Sequence, residues 1–269
     1  VALPISFLSD YGYDDEFAGV CRAVIARIAP DAVVVDLTHA VTPHSVAEGA
    51  AILARALPFA PVGVALAVVD PGVGSDRRAV AVRSAREGRL LVGPDNGLLA
   101  EALDEAGGAT EAVDLAFSPV RLDPVSATFH GRDVFAPVAA HLAVGAELRD
   151  VGDEIDADTL APSPLPGPQV VPSGILAHVV TIDRFGNVAL DVRPARFPDT
   201  GLRRGRPVEV LIGGTARRAA HGDTFSDVAP GELILHEDSW ASLALAVNLG
   251  SAAAELGLNV GDEVTLRPA

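Results

Sequence analysis

The chain has 269 residues with 20 basic against 36 acidic side chains, a formal net charge of −16, and a single cysteine, Cys21. That balance speaks against an extended basic face for nucleic acid, and one thiol excludes an internal disulfide, a four-Cys zinc site or a self-contained iron-sulfur site. All 20 basic residues are arginine, which also excludes a lysine Schiff base and the Lys-containing phosphate loop.

The first β-branched run, Ile5 to Ser9, reads as a strand. After it, Phe17, Val20, Cys21, Val24, Ile25 and Ile28 recur in steps of three and four residues, the spacing of one helix face. Asp14 and Asp15 stand where an N-cap and a negative first turn would stabilise that helix, and Pro30-Asp31 closes it. Ala32 to Leu37 reads as the next strand and Ser45 to Leu57 as a second helix. The nearly uninterrupted apolar run Val62 to Val69, ending on Asp70, has the pattern of a central strand covered on both faces. Further strands are expected at Ala79 to Arg83 and Leu90 to Val92. They are followed by a turn at Gly93-Pro94-Asp95-Asn96-Gly97, a helix from Leu98 to Ala106 and another near Val134 to Val144.

From Ala157 to Ser173 five prolines favour stiff, extended chain. Beyond them the rhythm changes to short strands: Gly174 to Ile182, Val188 to Val192, Val208 to Ile212, Glu232 to His236 and Glu263 to Leu266. Ser242 to Leu249 and Ser251 to Leu256 suggest a short helix interrupted by Gly250. The fold class expected is therefore α/β: an N-terminal domain with a central, largely parallel sheet (1–160), a Pro-rich linker (161–173) and a small C-terminal β-barrel (174–269). With 49% hydrophobic but only 4% aromatic residues, its cores must rest on Ala, Val, Leu and Ile. The start Val1 to Leu8 has no basic leader, no stretch is apolar enough to span a bilayer, and a cytoplasmic setting is the simplest expectation.

Three clusters carry chemistry. Asp10, with Asp14, Asp15 and Glu16, lies where a strand hands over to a helix; such carboxylates accept hydrogen bonds from sugar hydroxyls or bind Mg²⁺, and the last three serve equally as helix caps. Asp70 enters a Gly-rich turn followed by Arg77 and Arg78, a spacing that allows an Asp-Arg pair across a loop, whether functional or a plain surface ion pair. His130 stands beside Gly131, Arg132 and Asp133, and a lone His of this kind is structural more often than not. No HExxH, HxH or CxxC spacing supports a conventional zinc site, so no metal is expected. In the C-terminal half, IDRFGN and SWASL combine polar groups with an aromatic, which suits a zwitterion and a stacked ring or, equally, a hairpin turn with a core anchor.

In this order FLSDYGYDDEFAG, VVDPGVGSDRR, GPDNGLL, TFHGRD, IDRFGNV and SWASLALAVN resemble the S-adenosyl-L-methionine hydrolase family, the SAM hydroxide adenosyltransferases, from about Ile5 to Asn248. The resemblance implies a homotrimer with active sites between neighbouring subunits and a water-activating set of Asp70, Arg77 and His130. In that set Asp70 and His130 would hold and deprotonate the water or stabilise hydroxide, while Arg77 orients Asp70 and offsets its charge. It also implies that Asp10 takes the ribose hydroxyls, Asp183 the methionine amine, Phe185 and Asn187 the adenine, and Ser239 the methionine carboxylate. The backbone from Val247 to Leu249 would read the adenine edge, with Phe129 and Trp240 also in the substrate-binding set. S-adenosylmethionine is then the substrate and adenosine a product, with no cofactor, nucleic acid or membrane partner. Two positions depart from the family pattern. Ser239-Trp240-Ala241-Ser242 lacks a usual Tyr, and His44, at a position aromatic in the fluorinating relatives, is given no role.

Three other readings fit the same residues. A halide nucleophile on the same fold is disfavoured because a carboxylate at Asp70 would repel the anion. A metal-dependent hydrolase would use Asp10, Asp14, Asp15, Asp70 and His130. A non-catalytic nucleotide sensor would bind without turnover.

Overall fold

The computed structural model describes residues 1–172, 174–197 and 200–269. Contacts divide the chain into two compact units, Val1–Pro164 and Leu165–Ala269, with the division inside the Pro-rich stretch. Ser173, the last residue of the expected linker, lies outside the described residues.

The first unit contains β1 (Ile5–Ser9), α1 (Phe17–Ile28), β2 (Val34–Thr38), α2 (Val46–Ala56), β3 (Val64–Val68), β4 (Ala79–Ser84) and β5 (Leu90–Pro94). These are followed by α3 (Ala100–Glu105), β6 (Ala109–Asp114), α4 (Ala136–Ala143), α5 (Leu148–Val151) and β7 (Asp153–Ile155). The sheet order is β2-β1-β3-β5-β4-β6-β7. Its first four strands are parallel, and β4, β6 and β7 join antiparallel.

Alternation along the strands explains why both faces are covered. Ile5 and Phe7 of β1 and Leu66 of β3 pack with Cys21 and Ile25 of α1 and Leu142 of α4. Their neighbours Leu8, Ala65 and Ala67 pack on the opposite face with Leu53 of α2 and Leu103 of α3. A strand buried on both sides needs apolar residues at every position, hence the continuous run through β3. Cys21, the lone thiol, is fully buried in the first of these clusters, and burial pushes its pKa up to about 12. The chain leaves β1 towards β2 on one side and returns to β3 on the other. This makes the carboxyl ends of β1 and β3 a topological switch point, the place where open α/β sheets form a ligand crevice. Asp10 follows β1 and Asp70 follows β3.

The second unit holds β8 (Gln169–Val171), β9 (Gly174–Ile182), β10 (Val188–Leu190), β11 (Val208–Ile212) and β12 (Thr215–His221). It continues with β13 (Leu233–Glu237), β14 (Leu243–Val247), α6 (Ala252–Leu256) and β15 (Glu263–Pro268). The strands run β10-β14-β13-β12-β11-β15-β9 and close through the β9–β10 pairing into a barrel, with β8 added on β9. Closure leaves the barrel strands no free edge.

Two local expectations change. Ser242 to Leu249 is not helical: Leu243–Val247 is fully buried and paired on both sides, to β13 and β10, and that pairing overrides the helix preference of Leu and Ala. Only Ala252–Leu256 is helical there. At α1 the N-cap is Glu16, with no side-chain capping bond, so Asp14 and Asp15 do not cap the helix. Among the described residues no helix is long and apolar enough to cross a membrane.

Candidate active site

The turn after β3 is built by its own backbone and glycines. Val73 N–H donates to Asp70 O at 3.2 Å, and Ser75 closes on the Gly72 carbonyl through both its N–H (3.0 Å) and its hydroxyl (2.6 Å). Gly74 has φ +78°, and a Cβ there would run into the Ala127 carbonyl. Glycine at this position therefore lets the turn lie directly against the segment that leads to His130.

That approach brings three side chains together. Arg77 Nε donates to Asp70 Oδ1 at 2.8 Å, and its Nη2 donates to Asp70 Oδ2, giving a bidentate clamp. The same Nη2 lies 2.9 Å from His130 Nδ1. The Asp70 and Arg77 side chains are only 6% and 10% exposed, so this is no surface ion pair. Arg77 also sits over the Phe135 ring, 5.4 Å from its centroid. Because a guanidinium only donates, His130 Nδ1 must accept. The neutral ring then carries its hydrogen on Nε2. Burial and the adjacent Arg77 charge push the His130 pKa below its ordinary value, against the opposing pull of Asp70 and Asp133.

His130 begins a π-helical turn, Gly131–Phe135, that runs into α4. Asp133 anchors this turn from below, taking Arg132 in a two-point pair and the Ser126 N–H at 2.8 Å. Burial opposes the Asp133 charge, but these partners outweigh it and hold the carboxyl below the usual carboxylate range. Phe129, Tyr11 and Phe17 form a ring cluster beside it, with centroids 5.1 to 5.8 Å apart.

Asp10 lies at the end of β1. Its Oδ2 accepts the His44 N–H at 2.9 Å, and His44 has φ 69°, a left-handed conformation that points the amide at the carboxylate. Asn96 ties the neighbouring loop to this edge by donating to the Val69 carbonyl at 2.9 Å. Asp14, Asp15 and Glu16 are exposed. No group of three or more His, Cys, Asp or Glu side chains among the described residues is arranged to hold a metal ion, so the five residues named for a metal centre are not gathered into one.

In the second unit, Asp183 organises its own turn: Oδ1 accepts the N–H groups of Phe185 and Asn187, both at 2.9 Å, and Oδ2 accepts the Asn187 side-chain amide at 2.8 Å. This leaves Phe185 projecting, 71% exposed, beside a cavity of about 510 Å³ that Asp183 and Ser251 also line. Ser239 and Trp240 lie in the turn before β14, where Asp238 accepts the Trp240 N–H at 2.8 Å. Leu249 lies beyond the other end of that strand. The register Val188↔Leu245 puts Asn187 at the Leu249 end, so β14 separates it from Ser239. The Val247 side chain is buried in the barrel core, which leaves only its backbone for a ligand, while Leu249 is 90% exposed. Tyr11, His44 and Asn96 were not assigned from sequence, and only DYG at the end of the first strand hints at the first of them.

The SAM hydroxide adenosyltransferase N-terminal domain matches residues 5–152 and the corresponding C-terminal domain residues 177–265. The (R)-S-adenosyl-L-methionine hydrolase of Salinispora tropica is 48% identical over 97% of this chain and 96% of its own length. The protein of the same name from Thermus thermophilus is 42% identical over 98% and 99%. A fluorinase from an Actinoplanes species is more distant, 29% identical over 98% and 97%. The crystal structure of an uncharacterized conserved protein from Thermotoga maritima superposes with a TM-score of 0.90 at 38% identity, covering 97% of this chain and 99% of that one. Matched in both of its parts and over nearly its whole length, the chain belongs to the SAM hydroxide adenosyltransferase family.

Proposed function

We propose that the chain hydrolyses S-adenosyl-L-methionine to adenosine and L-methionine, with water attacking C5′ of the ribose. The observation that carries this reading is the convergence of Asp70, Arg77 and His130 at the switch point that also holds Asp10. The leaving group departs as a neutral thioether, so no acid is needed, and the chemistry reduces to placing and polarising one water. Asp70, held by Arg77, accepts a hydrogen from that water. His130, with Nδ1 committed to Arg77, presents Nε2–H as a donor to the water oxygen. Of the roles expected from sequence this is holding the nucleophile and not removing its proton, because a second ring proton would face the guanidinium.

As the C5′–O bond forms, the C5′–S electron pair goes to sulfur, and the surplus proton on the new hydroxyl passes to Asp70 and on to solvent. Asp10 takes the ribose hydroxyls. Asp183, Phe185, Asn187, Ser239, Trp240 and the Val247 to Leu249 backbone supply the remaining contacts, and Phe129 lines the substrate side of the triad. The chain acts as a cytoplasmic homotrimer in which a neighbouring copy completes each site, and it uses neither metal nor cofactor.

Incubation with S-adenosylmethionine in halide-free buffer containing a chelator tests the reading. Adenosine and methionine in equal amounts are expected on chromatography. Turnover abolished by the chelator, or 5′-halogenated adenosine as the only product once halide is added, would overturn it. Asp10→Ala should weaken adenosine binding by about 10- to 100-fold, the worth of one or two hydrogen bonds to a charged group, yet leave 2′,3′-dideoxyadenosine binding unchanged. Equal adenosine affinity in both proteins by calorimetry would remove Asp10 from ribose recognition.

A further inference from the structure

Tyr11 is unused by the mechanism above, yet it lies beside the residues that carry it. Its ring packs on Phe17 and Phe129. Its hydroxyl rests against Gly131, the residue after His130, so closely that a Cβ on Gly131 would collide with it. Asp10, Asp70 and Arg77 all lie near enough for their charges to act on the phenol. No group among the described residues exchanges a hydrogen bond with that hydroxyl. A phenyl ring would pack against Phe17 and Phe129 as well as a phenol does, so the cluster itself does not require the oxygen.

Counting the bonds of the nucleophile identifies a use for it. A water that attacks with one lone pair has one lone pair left, which His130 Nε2–H takes, and two hydrogens, of which Asp70 takes one. The second hydrogen needs an acceptor once the substrate has displaced bulk solvent. We propose that the Tyr11 hydroxyl oxygen accepts it, making Tyr11 a third catalytic contact of the water beside Asp70 and His130. The inference rests on the hydrolytic reading and extends it. Burial, reinforced by the charges of Asp10 and Asp70 and opposed by Arg77, holds the phenol pKa above its ordinary value. Tyr11 therefore stays neutral at working pH, orienting the water without removing a proton from it.

Tyr11→Phe deletes one oxygen and keeps the ring cluster. It is expected to lower kcat for adenosine release by about 10- to 100-fold, with KM within about threefold of wild type and the melting temperature unchanged. Tyr13→Phe is the control, since that phenol oxygen accepts the His39 backbone N–H at 3.1 Å and serves the loop alone. It should leave kcat unchanged. A Tyr11→Phe kcat equal to wild type, or a loss carried by KM instead of kcat, would overturn the proposal. A wild-type protein that releases no adenosine would overturn the hydrolytic reading itself, so the two failures are distinguishable.

Discussion

Asp70→Asn is expected to lower the turnover of S-adenosylmethionine by about 10²- to 10⁴-fold, the usual worth of a positioned proton acceptor, with a much smaller change in KM. Asparagine keeps the size and branching of the side chain, so the turn after β3 retains its shape. What changes is the face shown to Arg77. Two acceptor oxygens become one acceptor and one amide donor, and the amide meets a guanidinium that only donates. The clamp is reduced to one bond, the water loses its negatively charged partner, and Arg77, 10% exposed, is left without a counter-charge. Steady-state kinetics with a parallel thermal melt checks this, and a folded variant with near-normal kcat would remove Asp70 from the reaction.

Arg77→Met should have a comparable effect with a distinct pH signature. Methionine preserves the apolar stem against Phe135 but removes both the clamp on Asp70 and the donor to His130 Nδ1. Breaking a buried pair from one side costs about 3–5 kcal/mol, because the remaining charge is stranded, so a lower melting temperature accompanies the loss of rate. In the wild type, burial and Arg77 depress the His130 pKa, which keeps Nδ1 unprotonated and able to accept from Arg77 at pH values where an ordinary imidazole is already charged. With the guanidinium gone, burial still depresses the pKa but Asp70 pulls it up, so the ring protonates at a higher pH. A ring charged near Asp70 lowers the basicity of the carboxylate that takes the water's proton, so the acid limb of the kcat profile should move to higher pH in the variant. A limb that stays in place would mean that His130 does not titrate in the active complex.

Much of the scaffold was legible because burial writes directly into residue choice. β1, β9 and β11 appear with the bounds expected from their β-branched runs, and β3 announced itself by an apolar run that only a doubly covered strand needs. β12 leaves no strand signal in the sequence because Thr215 to Arg218 are exposed and TARRAAH shows no alternation. The sequence of β14 has a helical pattern because Leu and Ala favour helices until two neighbouring strands claim their backbone groups. In the site, the spacing from Asp70 to Arg77 was enough to suggest a pair across a loop. The approach of His130, 53 residues further on than Arg77, was not, because it depends on Gly74 allowing one turn to rest on the Ala127 carbonyl. The left-handed His44 amide on Asp10 and the hydroxyl of Tyr11 against Gly131 are three-dimensional coincidences with no local signature.

The single cysteine gives the molecule a built-in gauge of its own opening. Cys21 is fully buried between α1 and the sheet, and its thiol, with a pKa of about 12, carries almost no reactive thiolate at neutral pH. A thiol-directed reagent can therefore label the chain only when the first unit loosens. The barrel carries no thiol, so its motions stay silent, and the labelling rate reports the breathing of the half that bears Asp70 and His130 while the protein turns over.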